Sequence, residues 1–234
     1  SGGGARPASG VGAREMKKRA VVLFSGGLDS AVLAHQWLAA GWAVYGICFD
    51  YGQRNHCEVR YAKDLAQHWG MPLLTPSLRE VFGLFQSGLL SGVSQPEIFL
   101  DRPLAEIKED RKGYGQTVYV PFRNAIFLSV AVGIAESLEA TRVGIGVKGG
   151  VGFDTSQEFV ILFERMAKQG SRTGPFLSIE APLVGVPKVE VARYAKQHGF
   201  LTLTYSCYFG VDPPCGRCDT CQERKKVECE LLIP

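Results

Sequence analysis

Apolar and polar positions alternate between two periods along this chain. Arg19–Phe24 (RAVVLF) is a short, β-branched apolar run and reads as a buried strand. Leu28–Ala40 carries apolar residues at helical spacing and stops before Gly41, a natural residue for the left-handed end of a helix. Ala43–Phe49 reads as a second strand, Asn55–Trp69 as a helix ending at Gly70, and Leu73–Leu74 as part of a third strand. From 76 to 119 the pattern is irregular, with short helices expected around 78–85 and 102–110. Arg123–Leu138 is a strongly apolar helix and Arg142–Val147 a strand, while Gln157–Gln169 and Val189–His198 are amphipathic helices. Strands alternating with helices predict an α/β fold: a doubly wound, mostly parallel sheet with helices on both faces.

Composition narrows this picture. A chain of 234 residues allows one large domain, or one domain with an appendage. Hydrophobic residues at 46% and charged residues at 21% exclude wholesale disorder. Apolar runs break well before about 18 residues, so no membrane-spanning helix is expected. A net charge of +3 does not single out nucleic acid as a partner. Residues 1–15 are rich in Gly, Ala and Ser, with no hydrophobic period. Met16 therefore reads as the natural start, preceded by a disordered tail or cloning remnant. The main domain is expected over 16–203 and a C-terminal metal-binding segment over 204–234.

There are seven cysteines, and Cys207, Cys215, Cys218 and Cys221 fall within fifteen residues. The odd count, without an apolar leader, argues against a secreted disulfide framework and for a reducing, cytoplasmic compartment. The spacing Cys207-x7-Cys215-x2-Cys218-x2-Cys221 offers four soft ligands from one loop, which suits tetrahedral Zn²⁺. A redox CxxC pair and an iron–sulfur cluster are the competing readings. A closed four-thiolate site has no open position for substrate, so its expected role is to pin the C-terminal tail. Cys48, Cys57 and Cys229 read as ordinary reduced thiols.

The segment Ser25–Ser30 (SGGLDS) lies where a strand ends and a helix begins. Gly26 and Gly27 let the backbone bend so that its N–H groups approach an anion, and the helix that opens at Leu28 adds its own N–H groups. Ser25 and Ser30 add hydroxyls, and Asp29 is placed to hold a Mg²⁺ that bridges phosphates. The plain alternative is a Ser/Gly turn with a helix cap. No lysine follows the glycines, so this is not a Walker loop. Gly144-Ile-Gly146-Val-Lys-Gly149 fits GxGxxG, but its first glycines lie inside a strand, which argues against dinucleotide binding.

SGGLDS resembles the PP-loop, SGGxDS, of the ATP-pyrophosphatases, whose fold is adenine nucleotide alpha hydrolase-like. With SCY-x6-CGRCDTCQER (from Ser206) the chain resembles the 7-cyano-7-deazaguanine synthase family, the QueC-like proteins. The likeness runs through most of 18–224. It includes FDYGQR (Phe49–Arg54), VPFRN (Val120–Asn124), Pro182-Leu183 followed by Lys188 and Glu190, and Arg224. It implies an ATP-dependent ligase that adenylates the carboxylate of 7-carboxy-7-deazaguanine. Ammonia then forms an amide, and a second ATP dehydrates the amide to the nitrile. It implies a Cys₄ zinc site and a homodimer. In these terms Ser25–Ser30 grips pyrophosphate, Lys188 reaches phosphate oxygens, Arg123 holds phosphate or the substrate carboxylate, and Phe49 and Tyr51 stack on a purine.

Three features depart from the family pattern. Asn55 stands where a histidine is expected, VGFDTSQEF (151–159) replaces a longer aromatic–proline–acid–cysteine motif, and a phenylalanine after the final arginine is missing. Asp154 and Ser156 read as remnants of the replaced motif. The altered loop raises an alternative acceptor, another amine, including one on a protein, as in paralogues associated with phage defence. PP-loop chemistry on tRNA and a non-catalytic binding module are the remaining alternatives.

Overall fold

The computed structural model of the chain describes residues 18–90, 119–149 and 154–232. Its strands are β1 (Arg19–Leu23), β2 (Ala43–Ile47), β3 (Leu73–Leu74), β4 (Arg142–Ile145) and β5 (Ser178–Glu180). They form one sheet of order β3-β2-β1-β4-β5, with every pairing parallel. The chain steps outward from β1 to β3, then returns to the other side of β1 for β4 and β5. That reversal makes the C-terminal edge between β1 and β4 the crevice of a doubly wound sheet.

The helices are α1 (Leu28–Ala39), α2 (Cys57–His68), α3 (Arg79–Phe82), α4 (Arg123–Ser137), α5 (Gln157–Gly170), α6 (Lys188–Gln197) and α7 (Asp219–Glu230). β1 is apolar on both faces because both are covered, as a central parallel strand requires. Ala20, Val22 and Phe24 pack into one core with Leu33 of α1, Leu65 of α2 and Ala192 of α6. Val21 and Leu23 face a second core with Leu128 of α4 and Phe163 of α5.

The GxGxxG glycines serve packing. A Cβ on Gly144 would stand 2.5 Å from the Trp37 ring, and one on Gly146 would stand 2.7 Å from the Ser30 nitrogen. Bare backbone at both positions lets β4 and the residue after it lie against α1. Two elements were not expected from the pattern, β5 and α7. The helix expected at 102–110 lies outside the described residues. Among the described residues no helix is long and apolar enough to cross a membrane.

Candidate active site

β1 carries Ser25 to the crevice edge, and the loop turns directly into α1. Ser30 Oγ donates to the Gly27 carbonyl at 3.0 Å and accepts from the Ser25 N–H at 3.2 Å. Ser25 Oγ lies 3.3 Å from Ser30 Oγ and accepts from the Gly27 N–H at 3.3 Å. The two hydroxyls thus hold the loop in shape, with Ser30 buried and Ser25 exposed. No side chain caps α1, so its first-turn N–H groups remain open to an anion. Gly26 is required here. Its φ is +81°, and a Cβ would stand 2.6 Å from the Ala62 nitrogen and 2.7 Å from the Glu58 carbonyl oxygen. Gly26→Ala should cost about 2 kcal/mol or more from backbone strain and crowding, read as a lower urea midpoint.

Asp29 stands in the first turn of α1 and accepts from Lys188 Nζ at 2.6 Å on Oδ2. Lys188 opens α6, directly after Pro187, so the pair joins two helix starts across the crevice. Asp29 Oδ1 is buried and has no hydrogen-bond partner among the described residues. A buried carboxylate oxygen left without a donor beside open helix N–H groups fits a hard divalent cation shared with phosphate.

The other wall comes from the chain after β2. Phe49 is buried and stacks on Phe127 of α4, centroids 4.3 Å apart, so this ring is used by the core rather than offered to a purine. Tyr51 is also buried, against Phe82 and Phe127. Its Oη accepts from Arg123 Nη1 at 3.4 Å, and burial pushes its pKa up to about 12. Arg123 opens α4 and therefore sits behind Tyr51, without contact to Asp29 or Lys188. The neighbouring Asn124 anchors the altered loop: its backbone N–H donates to Asp154 Oδ2 at 2.9 Å, and its amide donates to the Asp154 carbonyl at 3.1 Å. Ser156 caps α5 by accepting from the Phe159 N–H at 3.1 Å.

Glu58 was missed by sequence reasoning. It lines the cleft together with Gly27, Asp29, Asn55 and Lys188. Gln53 Nε2 donates to Glu58 Oε1 at 3.2 Å, and Asn55 Nδ2 donates to Oε2 at 2.6 Å. The available signal was two amide residues just ahead of a lone acid in a helix's first turn. Asn55, at the position that departs from the family pattern, is thus part of this wall.

The four cysteines come together as the spacing predicts. Their sulfurs lie within 4.8 Å of one another, with Cys215 and Cys221 3.9 Å apart. Tetrahedral zinc at about 2.3 Å from each sulfur sets an S···S separation of about 3.8 Å, so the quartet fits that ion. Backbone N–H groups of Cys215 and Cys218 point at the sulfurs of Cys207 and Cys215, at 3.5 and 3.4 Å. Burial opposes ionisation of Cys207, but such N–H···S contacts lower its pKa overall. None of the seven cysteines forms a disulfide.

The cluster does more than pin a tail. Cys207 and Thr220 line the cleft opposite Gly27 and Asp29. The Tyr205 N–H donates to the Gly26 carbonyl at 3.0 Å, tying the cysteine segment to the Ser25–Ser30 loop. On its other side the segment docks on α2. The Cys57 thiol donates to the Gly210 carbonyl at 2.7 Å, and Arg60 pairs with Asp212. A Cβ on Gly210 would meet the Arg54 carbonyl at 2.2 Å, so the backbones touch there. Arg224 is tied to Thr204 Oγ1 at 2.7 Å and the Leu201 carbonyl at 2.6 Å, which fixes α7 against the body of the fold.

The model of the family described as "Queuosine biosynthesis protein QueC" matches residues 19–230. A 7-cyano-7-deazaguanine synthase of Pseudomonas putida (strain KT2440) is 38% identical over 219 residues, 89% of this chain and 92% of that protein. Its counterpart in Myxococcus xanthus (strain DK1622) is 37% identical over 236 residues, 94% of this chain and 96% of that one. Among solved structures, NMN synthetase from Francisella tularensis superposes with a TM-score of 0.45 at 16% identity, covering 92% of this chain and 76% of that one. With the family model matching 19–230 and relatives this similar over most of the chain, the chain belongs to the QueC family of enzymes.

Proposed function

We propose that this chain makes 7-cyano-7-deazaguanine from 7-carboxy-7-deazaguanine, ATP and ammonia. The reading rests on its relatives and above all on one observation: a preformed phosphate loop whose Asp29 keeps one buried oxygen unpartnered while Lys188 holds the other. Oxide is a poor leaving group, so the carboxylate must first be activated. Its oxygen attacks the α-phosphorus of ATP and pyrophosphate leaves, giving the acyl adenylate. The α1 N–H groups and Lys188 neutralise the pyrophosphate, and Asp29 would hold a Mg²⁺, which would supply further positive charge against the phosphates. Ammonia then forms the C–N bond and AMP departs with the bonding pair. A second ATP activates the amide oxygen, and loss of that oxygen as AMP gives the nitrile.

In this reading Zn²⁺ on Cys207, Cys215, Cys218 and Cys221 is structural, in a segment over 204–234 that closes the cleft of a domain over 16–203. The compartment is cytoplasmic, which keeps all seven thiols reduced. A homodimer would cover apolar side chains left exposed near α4 and on α5, among them Phe122, Ile161, Leu162 and Met166.

The test is mass spectrometry of products from ATP, 7-carboxy-7-deazaguanine and millimolar ammonia. The nitrile is expected, with AMP and pyrophosphate formed twice per turnover. An amide that accumulates without nitrile would overturn the assignment and return the choice to another acceptor.

A further inference from the structure

Glu58 is the cleft group that the chemistry above leaves unused, and its surroundings are built with care for its orientation. Gln53 cannot turn its amide over. Its Oε1 accepts from the Tyr51 N–H at 2.9 Å, and its Nε2 donates to the Phe49 carbonyl at 3.0 Å as well as to Glu58. Asn55 supplies the second donor. Each carboxylate oxygen therefore has one donor and keeps one lone pair, and the side chain borders the same cleft as Asp29 and Lys188. Arg123 is bonded to Tyr51, and Glu58 to the two amides; the guanidinium acts on the carboxylate through its charge, drawing its pKa down.

Acyl transfer needs a proton acceptor at this place. As the nitrogen–carbon bond forms, the carbon–oxygen bond to AMP breaks with its electron pair going to the AMP phosphate, and the nitrogen must lose a proton. We propose that Glu58 is the general base of this step: its free carboxylate lone pair takes the proton from the attacking nitrogen and later releases it to water, while Asn55 is the positioning residue that holds the carboxylate. The inference rests on the adenylation reading above and deepens it.

The electrostatics support that role. Burial pushes the Glu58 pKa up to about 7, against the pull of Arg123, Gln53 and Asn55. A carboxyl near neutrality can both accept and return a proton at working pH. The charged and titratable groups around it are Arg123 from α4 and Tyr51 and Cys48 from the end of β2 and the loop after it. The Asp29–Lys188 pair stands across the cleft, with Glu223 and Arg224 on α7.

The experiment compares the unmodified chain with Glu58→Gln and Asn55→Ala. Gln keeps the shape, and Asn55 can turn its own amide to accept from it. Because the Glu58 pKa is raised on folding, its ionisation opposes folding as pH climbs from the usual carboxylate range through about 7. Glu58→Gln escapes that cost and should melt no lower than the parent at pH 8. Exchange of labelled pyrophosphate into ATP, dependent on 7-carboxy-7-deazaguanine, should stay within about threefold of the parent in Glu58→Gln. Amide plus nitrile formation should fall about a hundredfold or more. In the parent, product rate plotted against free ammonia should fall on the acid side with a midpoint near 7. In Asn55→Ala, which loses one donor to the carboxylate, that midpoint should move to higher pH. Product formation at the parent rate by Glu58→Gln would overturn the proposal. So would parallel loss of exchange and product, which would make Glu58 part of ATP binding. Absence of exchange in the parent would strike the adenylation reading itself, and this inference with it.

Discussion

Asp29→Ala should lower carboxylate-dependent pyrophosphate release by about a thousandfold, with the fold intact. The magnitude is that of losing a main electrostatic anchor for developing phosphate charge. Two losses combine at this site. The unpartnered Oδ1 can no longer hold a cation, and Lys188 Nζ loses the carboxylate that fixes it at 2.6 Å. Ser25→Ala offers the contrast. It removes one neutral donor from an exposed position and should cost about 1 kcal/mol, several-fold in rate. Lys188→Ala should fall between them. Steady-state assays of pyrophosphate release, with circular dichroism to check the fold, give the ranking directly.

Cys218→Ser, or prolonged chelation, should unfold the C-terminal segment and abolish ATP-dependent activity together. Cys218 is fully buried and precedes α7 as its cap residue. α7 itself has little apolar character, so metal ligation must supply much of what keeps it folded. The activity loss follows from geometry: the Tyr205 N–H holds the Gly26 carbonyl, and Gly210 seats on the Arg54 backbone next to Asn55. The parent should contain about one zinc per chain by elemental analysis, and the variant far less, with a thermal midpoint lower by several degrees. A colourless protein excludes an iron–sulfur cluster at the same cysteines.

β1, the loop and α1 were legible in the chain because they obey local rules: a β-branched run is followed by glycines, and those by apolar residues at helical spacing. That no side chain caps α1 shows only in the fold. The cysteine quartet was legible for a similar reason, since its ligand spacing is short and fixed. Other features depend on what the fold brings from afar. Phe49 looked available for stacking, but Phe127 arrives from α4 to cover it. Glu58 looked like an ordinary helix-start acid. Its raised pKa exists only because the fold buries it, against the pull of Arg123 from α4 and of the donors Gln53 and Asn55. β5 has three residues, too few to show alternation. α7 reads DTCQERKKVECE, a charged run whose one aliphatic residue, Val227, packs into the first core, so its position rests on that residue together with the cysteines and Arg224. The altered loop after β4 hid its anchor as well: Asp154 read only as a remnant of the replaced motif, and its burial on the start of α4 shows in the fold alone.

The central claim is that the SGGLDS loop activates a carboxylate by transferring AMP to it. Exchange of labelled pyrophosphate into ATP tests this most directly, because it requires reversible adenylation and needs no acceptor. With Mg²⁺ and 7-carboxy-7-deazaguanine present and ammonia absent, the account predicts rapid exchange that disappears when the carboxylate is omitted or Asp29 is replaced by Ala. Release of ADP and phosphate, or exchange that ignores the carboxylate, would contradict it.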